Sequence, residues 1–429
     1  MFHPKLAFKS LDEQTAYQSK ALDALVARLS ADSPFYKERF RTHDVNTKAK
    51  YSAGNIAALP VTTKDDLQQA NFDFLCTPRA GVKEYTATSG TLGNPVTIAL
   101  TENDLQRLAY NEHQSFLTAD GSPDDSYQLM LTLDRQFMAG MAYYSGIRRM
   151  GAALVRTGPG LPQMQWETLE RTACSTLVTV PSFLLQLIQW AEAHGKDLSN
   201  SAVKKAVCIG EGIREEDFSL NALGRKITDK WPLQLYSTYA ATELQTAFTE
   251  CGAGRGGHLQ PDLIIVEILD DTGRPLPDGE AGEVTITTLG IEGMPLLRYR
   301  TGDIARLHSG PCTCGRLSKR LGPIIGRRQQ MIKYRGTTLY PPAIFNVLNE
   351  QDYIDSYVVE ALKDALGLDS LALHLHTPLT ADECDARLRP VLQARLRVMP
   401  PLHFHSRADM QAMQLPEGSR KVIRFLDNR

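Results

Sequence analysis

Apolar and polar positions alternate in two different ways along the chain. The first part, to about residue 80, is mostly polar with a helical period, clearest in "DEQTAYQSKALDALVARLS". From Tyr127 onward, short apolar runs bounded by Gly, Ser or Pro predict buried strands: "YQLMLTL", "AALVRTG", "STLVTVPS", "KAVCIGEG" and "LQLYSTYA". Two segments between these runs, "SFLLQLIQWAEAHG" and "REEDFSLNALGRKI", have a helical pattern. This alternation predicts parallel strands joined by crossover helices.

In a parallel sheet, ligands bind at the loops that leave the carboxyl ends of the strands. Two such loops are "GEG", residues 210–212, and "YAATE", residues 239–243. Both carry a glutamate beside small residues. We therefore expect them to contribute to one binding site.

The pattern changes again after Leu263. "LIIVEIL" and "GEVTITTL" flank a turn-rich connector, which predicts a β-hairpin and a β-rich subdomain. After Gly326 comes the charged stretch "RRQQMIKYRG", followed by strands ("DSYVVEAL", "LALHLHTP", "LHFHSR") and a helix ("ADECDARLRPVLQARL"). The predicted fold is thus a large N-terminal α/β domain, residues 1–326, with mixed and parallel sheets, and a small α+β domain, residues 327–429.

Composition narrows the class of protein. The chain has 429 residues, 42% of them hydrophobic and 22% charged, with a net charge of −2, which indicates two or three globular domains and no nucleic-acid face. No signal peptide and no run of eighteen apolar residues is visible, so no membrane partner is expected. Seven cysteines without an export signal predict free thiols and a cytoplasmic protein. The sequence leaves open whether the protein is a monomer or a homodimer.

Six polar segments carry the candidate chemistry. In chain order they are "TATSGTLGNP", "GEG", "YAATE", "RYRTGD", "GRRQQMIKYRG" and "EGSRKVIR". The first has glycines and hydroxyls suited to holding phosphates, but it lacks the Gly-Lys-Ser/Thr ending of a Walker loop. Each segment alone is weak evidence, and the first could be an ordinary hairpin turn. Their order and spacing together are far more specific.

With these segments in place, the sequence resembles the adenylate-forming superfamily, and within it the phenylacetate–coenzyme A ligase branch. The resemblance spans nearly the whole chain and is closest in "SGTLGNP", "MPLLRYRTGDIARL", "PCTCGR" and "IIGRRQQMIKYRGTTLYP". It implies an enzyme that uses ATP and Mg²⁺ to form an acyl-adenylate and then transfers the acyl group to coenzyme A. It also implies that the small domain rotates between the two half-reactions.

The resemblance assigns roles to residues of these segments. Thr242 would contact the α-phosphate, Glu243 would hold Mg²⁺, and Lys421 would bridge the reacting carboxylate and the α-phosphate, where a cation stabilises developing charge. The remaining nucleotide-binding candidates are Thr88, Ser89, Gly90, Thr91 and Gly93 for the phosphates, Glu211, Gly212 and Tyr239 for adenine, Asp303 for the ribose hydroxyls, and Gly210 and Arg327 without a more specific role.

Four positions depart from the family pattern. Arg420 stands before Lys421 where the family usually has glycine, and Val96 stands where the wider superfamily often has lysine. Gln329 and Gln330 replace an acidic pair commonly found at the hinge. These glutamines keep open a second function, in which the acyl acceptor is a carrier-protein thiol or an amine. A non-catalytic nucleotide-binding homologue is a third alternative.

A second kind of site is predicted from cysteines. Cys251 and His258 lie in "TECGAGRGGHLQ", and Cys312 and Cys314 lie in the polar loop "GPCTCGR". Three thiolates and one imidazole make a closed tetrahedral zinc shell, although three reduced thiols and a surface histidine are the plain alternative. The other cysteines, Cys76, Cys174, Cys208 and Cys384, lie in apolar or helical runs and are expected to pack in the core.

The acyl pocket is expected between the phosphate loop and the sheet. Its candidates come from "DRQFMAGMAYYSG" and "VTVPSF", namely Phe137, Met138, Gly140, Met141, Tyr143, Tyr144, Val180, Pro181 and Ser182. Such residues would form a flat apolar slot for an aromatic acid resembling phenylacetate or benzoate. Each could equally be a core residue, and the acid itself stays open.

Overall fold

A computed structural model describes residues 2–88, 95–364, 366–416 and 422–429. The chain divides into two compact units. The large unit comprises Met1–Leu220, Gly224–Thr301 and Ala305–Pro323, and the small unit comprises Asn221–Leu223, Gly302–Ile304 and Ile324–Arg429. The predicted fold class, a large α/β domain with a mixed sheet followed by a small α+β domain, is confirmed.

The helices are α1 (Leu11–Asp32), α2 (Pro34–Thr42), α3 (Lys64–Gln69), α4 (Glu102–Thr118), α5 (Met138–Met150), α6 (Pro162–Thr172), α7 (Pro181–Ala193), α8 (Ala222–Lys230), α9 (Pro341–Asn349), α10 (Ala381–Leu396) and α11 (Arg407–Gln414). None of these described helices has the length and apolar character needed to cross a membrane.

The strands before the tail are β1 (Glu84–Ala87), β2 (Thr97–Leu100), β3 (Ser126–Leu129), β4 (Ala153–Arg156), β5 (Thr176–Thr179), β6 (Lys205–Ile209), β7 (Gln234–Ala241), β8 (Thr246–Thr249), β9 (Gly257–His258), β10 (Ile264–Leu269), β11 (Ala281–Thr288) and β12 (Tyr299–His308). They are followed by β13 (Arg320–Leu321), β14 (Gly326–Arg327), β15 (Ile332–Tyr334), β16 (Thr337–Leu339), β17 (Ser356–Lys363), β18 (Asp369–His376), β19 (Leu402–Phe404) and β20 (Phe425–Asp427).

The parallel part of the large sheet runs in the order β4, β3, β5, β6, β7, and β8 then pairs antiparallel with β7. Helices α5, α6 and α7 connect its strands, as expected for crossover units. Tyr127, Val178 and Val207 from the sheet pack with Tyr143 and Ile147 of α5 in one buried cluster. This core holds the strands in register, so that their carboxyl ends, where the predicted loops begin, lie at one edge of the sheet.

Helix α4 begins with a capping box that also ties it to the rest of the large unit. The Thr101 hydroxyl accepts from the Asp104 amide at 3.2 Å, and Asp104 accepts from the Thr101 amide at 3.0 Å. The same carboxylate accepts from the amides of Glu292 and Gly293, at 2.7 and 2.8 Å. The N-terminal end of α4 is therefore held in place from both sides.

The segment "REEDFSLN" differs from the prediction, because the helix starts only at Ala222. Asp217 accepts from the amide and hydroxyl of Ser219, at 2.9 and 2.6 Å, and so forms a local turn. Arg214 pairs with Glu250 at 3.0 Å. Short polar side chains that bond nearby backbone compete with helix formation, which the polar–apolar pattern alone does not reveal.

The small unit contains a four-stranded sheet in the order β19, β18, β17, β20. Strands β17 and β18 are antiparallel, and β18 pairs in parallel with β19. On β18, Leu371, Leu373 and Leu375 enter a core with Cys384 and Leu388 of α10. Since side chains alternate along a strand, the residues between these leucines lie on the other face of the sheet.

Candidate active site

The predicted phosphate loop leaves from a hairpin formed by β1 and β2, and this hairpin is among the residues that the structure describes. The Thr88 amide donates to the carbonyl of Val96 at 3.0 Å, and the Val96 amide donates to the Thr88 hydroxyl at 3.0 Å. These two bonds close the hairpin where the loop leaves it. Four predicted phosphate ligands, Ser89, Gly90, Thr91 and Gly93, lie outside the described residues.

The two predicted loops at the carboxyl ends of the strands are neighbours in space. In the parallel pair of β6 and β7, Ile209 lies opposite Thr238. Gly210, which follows β6 with a φ of +75°, therefore lies at the same edge as Tyr239. The ring of Tyr239 is half-buried and tilted against Phe248, with centroids 5.8 Å apart.

Glu211 has a structural contact besides its predicted place at adenine. Its carboxylate accepts from the Ser182 amide at 2.9 Å and from the Ser182 hydroxyl at 3.0 Å. Ser182 is in the first turn of α7, where amides lack partners within the helix and a negative charge is favourable. The contact joins the loop after β6 to the segment predicted to line the acyl pocket.

Glu243 lies on a short 3-10 turn, Thr242–Leu244, directly after β7. The side chain is only 9% exposed, and the Tyr299 hydroxyl donates to its Oε1 at 3.4 Å. Tyr299 is itself 2% exposed and begins β12. A buried carboxylate next to a half-buried threonine suits a hard cation such as Mg²⁺, which prefers oxygen ligands.

Arg107 on α4 holds the backbone after this turn, a role that sequence reasoning missed. Its guanidinium donates to the carbonyls of Gln245 at 2.7 Å, Leu263 at 2.7 Å and Leu289 at 2.8 Å. Burial lowers the pKa of Arg107 to about 10, so the side chain stays charged at neutral pH. An arginine on the apolar side of an amphipathic helix was the available signal.

Two buried or half-buried ion pairs hold the segment "RYRTGD", which leads into β12. Arg298 donates to both carboxylate oxygens of Glu267, at 3.0 and 2.8 Å. Arg300 donates from Nε to Glu283 at 2.8 Å. Gly302 then adopts a φ of +79°, which glycine allows without strain, and Asp303 follows.

Asp303 lies in the small unit together with Arg327, another predicted nucleotide ligand. Arg327 donates from Nε to Asp303 Oδ1 at 3.2 Å across the short pairing of β12 with β14. The arginine side chain is 54% exposed, whereas that of Asp303 is 12% exposed. A carboxylate accepts several hydrogen bonds, so this contact is compatible with binding a pair of hydroxyls.

Comparison with known proteins agrees with these features. The family model "AMP-binding enzyme" matches residues 85–292. A phenylacetate-coenzyme A ligase of Thermus thermophilus is 29% identical over 357 residues, covering 81% of this chain and 78% of that protein. A phenylacetate-coenzyme A ligase of Escherichia coli is 26% identical over 374 residues, covering 85% and 82%.

The chain is thus similar to the adenylate-forming superfamily, and within it to the phenylacetate–coenzyme A ligases. Its fold is also that of a solved 2-hydroxyisobutyryl-CoA ligase in complex with 2-HIB-AMP in the postadenylation state. That structure has a TM-score of 0.86 and 19% sequence identity, covering 99% of this chain and 92% of that chain.

The candidate acyl-pocket residues lie in different environments. Met138 and Tyr143 are buried, and Phe137, Tyr144 and Val180 are partly buried against the same core cluster. Met141 is 38% exposed. The other candidates are Gly140, where a β-carbon would collide with the carbonyl of Thr132, Pro181, which is buried, and Ser182, which bonds Glu211.

Two further predicted features concern the small unit. Lys421 and its neighbour Arg420 lie outside the described residues. Gln329 belongs to a 3-10 turn, Arg328–Gln330, and its carbonyl accepts from Arg429 at 2.9 Å. Arg429 also donates to the carbonyl of Met331 at 2.6 Å. The backbone around Gln329 and Met331 is thus anchored by Arg429.

The four predicted zinc ligands meet in the large unit. The Cys251, Cys312 and Cys314 thiols and the His258 ring nitrogen all lie within 4.8 Å of one another. Cys251 follows β8, His258 is on β9, and both cysteines of the Cys-x-Cys pair follow β12. Because β9 pairs with both β8 and β13, the hairpin region folds the two halves of the cluster together.

The spacing of the donor atoms fits a tetrahedral ion. Cys251 Sγ and Cys312 Sγ are 3.6 Å apart, and Cys314 Sγ is 3.5 Å from His258 Nε2. Zinc with bonds of about 2.3 Å to sulfur and about 2.0 Å to nitrogen places its ligand atoms about 3.5 to 3.8 Å apart. The contacts are therefore those expected around a single zinc ion.

Burial acts in different directions on the metal-binding forms of three side chains in the cluster. Burial, with the charges of Arg316 and Arg320, lowers the pKa of His258 to about 3, which keeps the imidazole neutral. Burial raises the pKa of Cys251 to about 12. For Cys312, burial opposes ionisation, but hydrogen bonds from the Cys314 amide and the Cys251 thiol hold its pKa below the usual value. Zinc binds a neutral imidazole and thiolates, so His258 and Cys312 favour the bound form, whereas a zinc ion would have to displace the proton of Cys251.

Proposed function

We propose that the protein activates an aromatic carboxylic acid with ATP and transfers the acyl group to coenzyme A. The reaction class follows from the family: the chain is an AMP-forming acid–thiol ligase. A carboxylate oxygen attacks the α-phosphorus of ATP and pyrophosphate leaves. The thiol of coenzyme A then attacks the carbonyl carbon of the acyl-adenylate, and AMP leaves as the thioester forms.

The observation that carries the proposal is the meeting of "GEG" and "YAATE" at one edge of the parallel sheet. Tyr239, with one face against Phe248, offers a flat partly apolar surface for adenine. Thr242, next in the same segment, would bond the α-phosphate. Asp303 would hold the ribose hydroxyls, and the loop that begins at Thr88 would hold the β- and γ-phosphates.

Glu243 would hold Mg²⁺, and the residues around it fit that ion. Its carboxylate is buried and kept in position by Tyr299 and, through the backbone that follows, by Arg107. Bound Mg²⁺ neutralises phosphate charge. Because the supporting residues are buried, Glu243 needs little reorganisation to receive an ATP-bound cation.

Lys421 would promote adenylation as a positioned cation, supplied by the small domain. A lysine acts as a point charge, so it can serve both the carboxylate and the α-phosphate. We further propose that the small domain rotates about the Gln329–Gln330 segment between the two half-reactions. Replacing Arg429, which anchors that segment, would then slow thioester formation more than adenylation.

The proposal of an aromatic acid is supported by the partly buried rings of Phe137 and Tyr144, which, like Val180, pack against one core cluster. An exchange assay with labelled pyrophosphate and a panel of acids tests it directly. Faster exchange with aryl or arylalkyl acids than with short aliphatic ones is expected. Equal or better exchange with short aliphatic acids would contradict the aromatic assignment and leave the reaction class in place.

The acceptor is tested on the adenylate formed in that assay. Coenzyme A, a phosphopantetheinylated carrier protein and simple amines are offered in turn. Rapid thioester formation with free coenzyme A is expected. Transfer only to the carrier or to an amine would favour the second function, and absence of pyrophosphate exchange with every acid would favour a non-catalytic nucleotide-binding protein.

We also propose that Cys251, His258, Cys312 and Cys314 bind a structural zinc ion. A closed shell of three thiolates and an imidazole leaves no position for a substrate, so zinc would stabilise the loop after β12 and take no part in the reaction. The seven cysteines, all within the described residues, form no disulfide, which supports the proposal of a reducing, cytoplasmic location.

A further inference from the structure

Four histidines form an array on one face of the small unit's sheet. His374 and His376 belong to β18, and His403, on β19, pairs with His374 in the parallel register. His405 follows β19 directly. The sequence has ten histidines, so close to half of them are gathered here. The leucines of β18 face the core instead, which leaves this histidine array on the opposite face.

Two of the imidazoles are in direct contact. His374 Nδ1 lies 2.9 Å from His405 Nε2. The ring of His403 stacks on His374 with centroids 5.2 Å apart and an interplanar angle of 24°. His403 is exposed, so its ring can rotate about the side chain. His374 and His405 thus meet directly, and His403 would have to rotate from its stacked position to bring a nitrogen to the same point.

A carboxylate orients the central histidine. His374 Nε2 lies 2.9 Å from Glu360 Oε2, and Asn428 donates to Glu360 Oε1 at 2.7 Å. A carboxylate only accepts hydrogen bonds, so Nε2 of His374 carries the proton. In the neutral ring, Nδ1 then accepts the hydrogen bond that His405 Nε2 donates at 2.9 Å, and an ion bound between the two nitrogens would displace that proton to Nδ1 of His405. Metal-binding histidines are typically held in this way, with the second nitrogen donating to a carboxylate.

We propose that the histidine array binds a divalent transition-metal ion through His374 Nδ1 and His405 Nε2, with His403 as third ligand. Nitrogen ligands at about 2.1 Å in adjacent positions of a tetragonal or octahedral ion are about 3.0 Å apart, close to the observed 2.9 Å. Imidazole suits nickel, copper and zinc. Water would complete the shell on the exposed side.

The array is independent of the thiolate cluster. Its ligands all belong to the small unit, whereas the cysteines belong to the large unit. His376 is not a ligand in this proposal, because its Nδ1 contacts the His405 carbonyl at 3.1 Å and its Nε2 faces Asp355 at 3.7 Å. These contacts fix the backbone of His405 and leave its ring to the ion.

The test is a titration with Ni²⁺. The whole chain is used, without a polyhistidine tag, after it has been loaded with one equivalent of zinc. Calorimetry and metal analysis of the dialysed protein should show one equivalent of Ni²⁺ bound with zinc retained. His374→Asn and His405→Asn should remove that equivalent, and Glu360→Gln should weaken it about 10- to 100-fold.

Two further variants keep the test interpretable. His403→Asn changes an exposed side chain, so it should fold normally and bind Ni²⁺ more weakly. His43→Asn replaces an exposed histidine of the large unit and should leave binding unchanged. Absence of nickel binding in the unaltered protein would overturn the proposal, and so would full retention of the nickel in both His403→Asn and His405→Asn.

Discussion

Arg107 donates from Nη1 to the carbonyl oxygen of Gln245 at 2.7 Å, two residues after Glu243. The guanidinium is fully buried and bonds two other backbone carbonyls, of Leu263 and Leu289. A residue of α4 thereby fixes the backbone position of the segment that follows β7. The proposed metal ligand depends on this contact for its position.

Replacing this residue, as in Arg107→Met, should destabilise the large unit and weaken ATP use. Each buried carbonyl left without a partner costs about 1–3 kcal/mol, so a loss of at least about 3 kcal/mol is expected. Thermal and urea unfolding measure the loss. The matched variant Arg148→Met, in an exposed position of α5, should behave like the unaltered protein. Equal stability of the two variants would remove Arg107 from this role.

Tyr299→Phe removes the hydroxyl that bonds Glu243 and keeps the buried ring. We expect an intact fold and a several-fold higher Mg²⁺ requirement in pyrophosphate exchange, since a hydrogen bond as long as 3.4 Å contributes about 1 kcal/mol. Glu243→Gln should reduce exchange much further. Tyr85→Phe, at an exposed position, is the control. An unchanged Mg²⁺ dependence in Tyr299→Phe would separate the hydroxyl from the metal site.

Glu112, buried on α4 beside Tyr143, predicts a pH dependence of stability. Burial raises its pKa from 4.5 to about 8 in the folded protein. The folded state therefore keeps a proton that the unfolded state loses, so this group's contribution to stability is full below pH 4.5 and declines as pH rises toward 8.

Glu112→Gln should remove this decline and make the protein more stable than the original at pH 8. The slope to be lost is at most about 1.4 kcal/mol per pH unit. Unfolding free energies measured between pH 5 and about 8 decide the matter. A variant that is less stable at every pH would contradict this prediction and would mean that the hydrogen bond from Asn111 to Glu112, 2.9 Å long, outweighs the cost of burial.

The zinc proposal predicts one equivalent of tightly bound zinc in the purified protein. Cys312→Ser and Cys314→Ser should lose the metal and lower the melting temperature, since structural zinc binding contributes on the order of 10 kcal/mol at neutral pH. Cys174→Ser changes a buried cysteine outside the cluster and should keep its zinc. Unaltered metal content in both loop variants would refute the ligand set.

Lys421→Ala should abolish acyl-adenylate formation while leaving the protein folded. The cation stabilises charge that develops at the α-phosphorus, so adenylation is the step that needs it. Arg420→Ala, the neighbouring charge change, should keep most of the activity. Pyrophosphate release measures the first step, and coenzyme A added to a synthetic acyl-adenylate measures the second. Undiminished pyrophosphate release by Lys421→Ala would exclude the assigned role.

Predictions from the sequence were most successful for features that depend on residues close together in the chain. Alternating apolar runs and helical periods predicted the fold class, and short motifs predicted which loops carry polar ligands. The prediction was wrong about the start of α8, because the turn at Asp217 and Ser219 depends on side-chain hydrogen bonds rather than on periodicity. It also passed over Arg107, whose partners lie more than a hundred residues away along the chain.

The sequence by itself determined the order of the main strands and helices, the family motifs, and the presence of two cysteines, one residue apart, in one polar loop. These follow from neighbouring residues, whose preferences act over a few positions. Only the tertiary structure decided that Tyr299 reaches Glu243 and that His374 pairs with His403 in register. Such contacts depend on the register of strands brought together by the whole core, which no short stretch of sequence specifies.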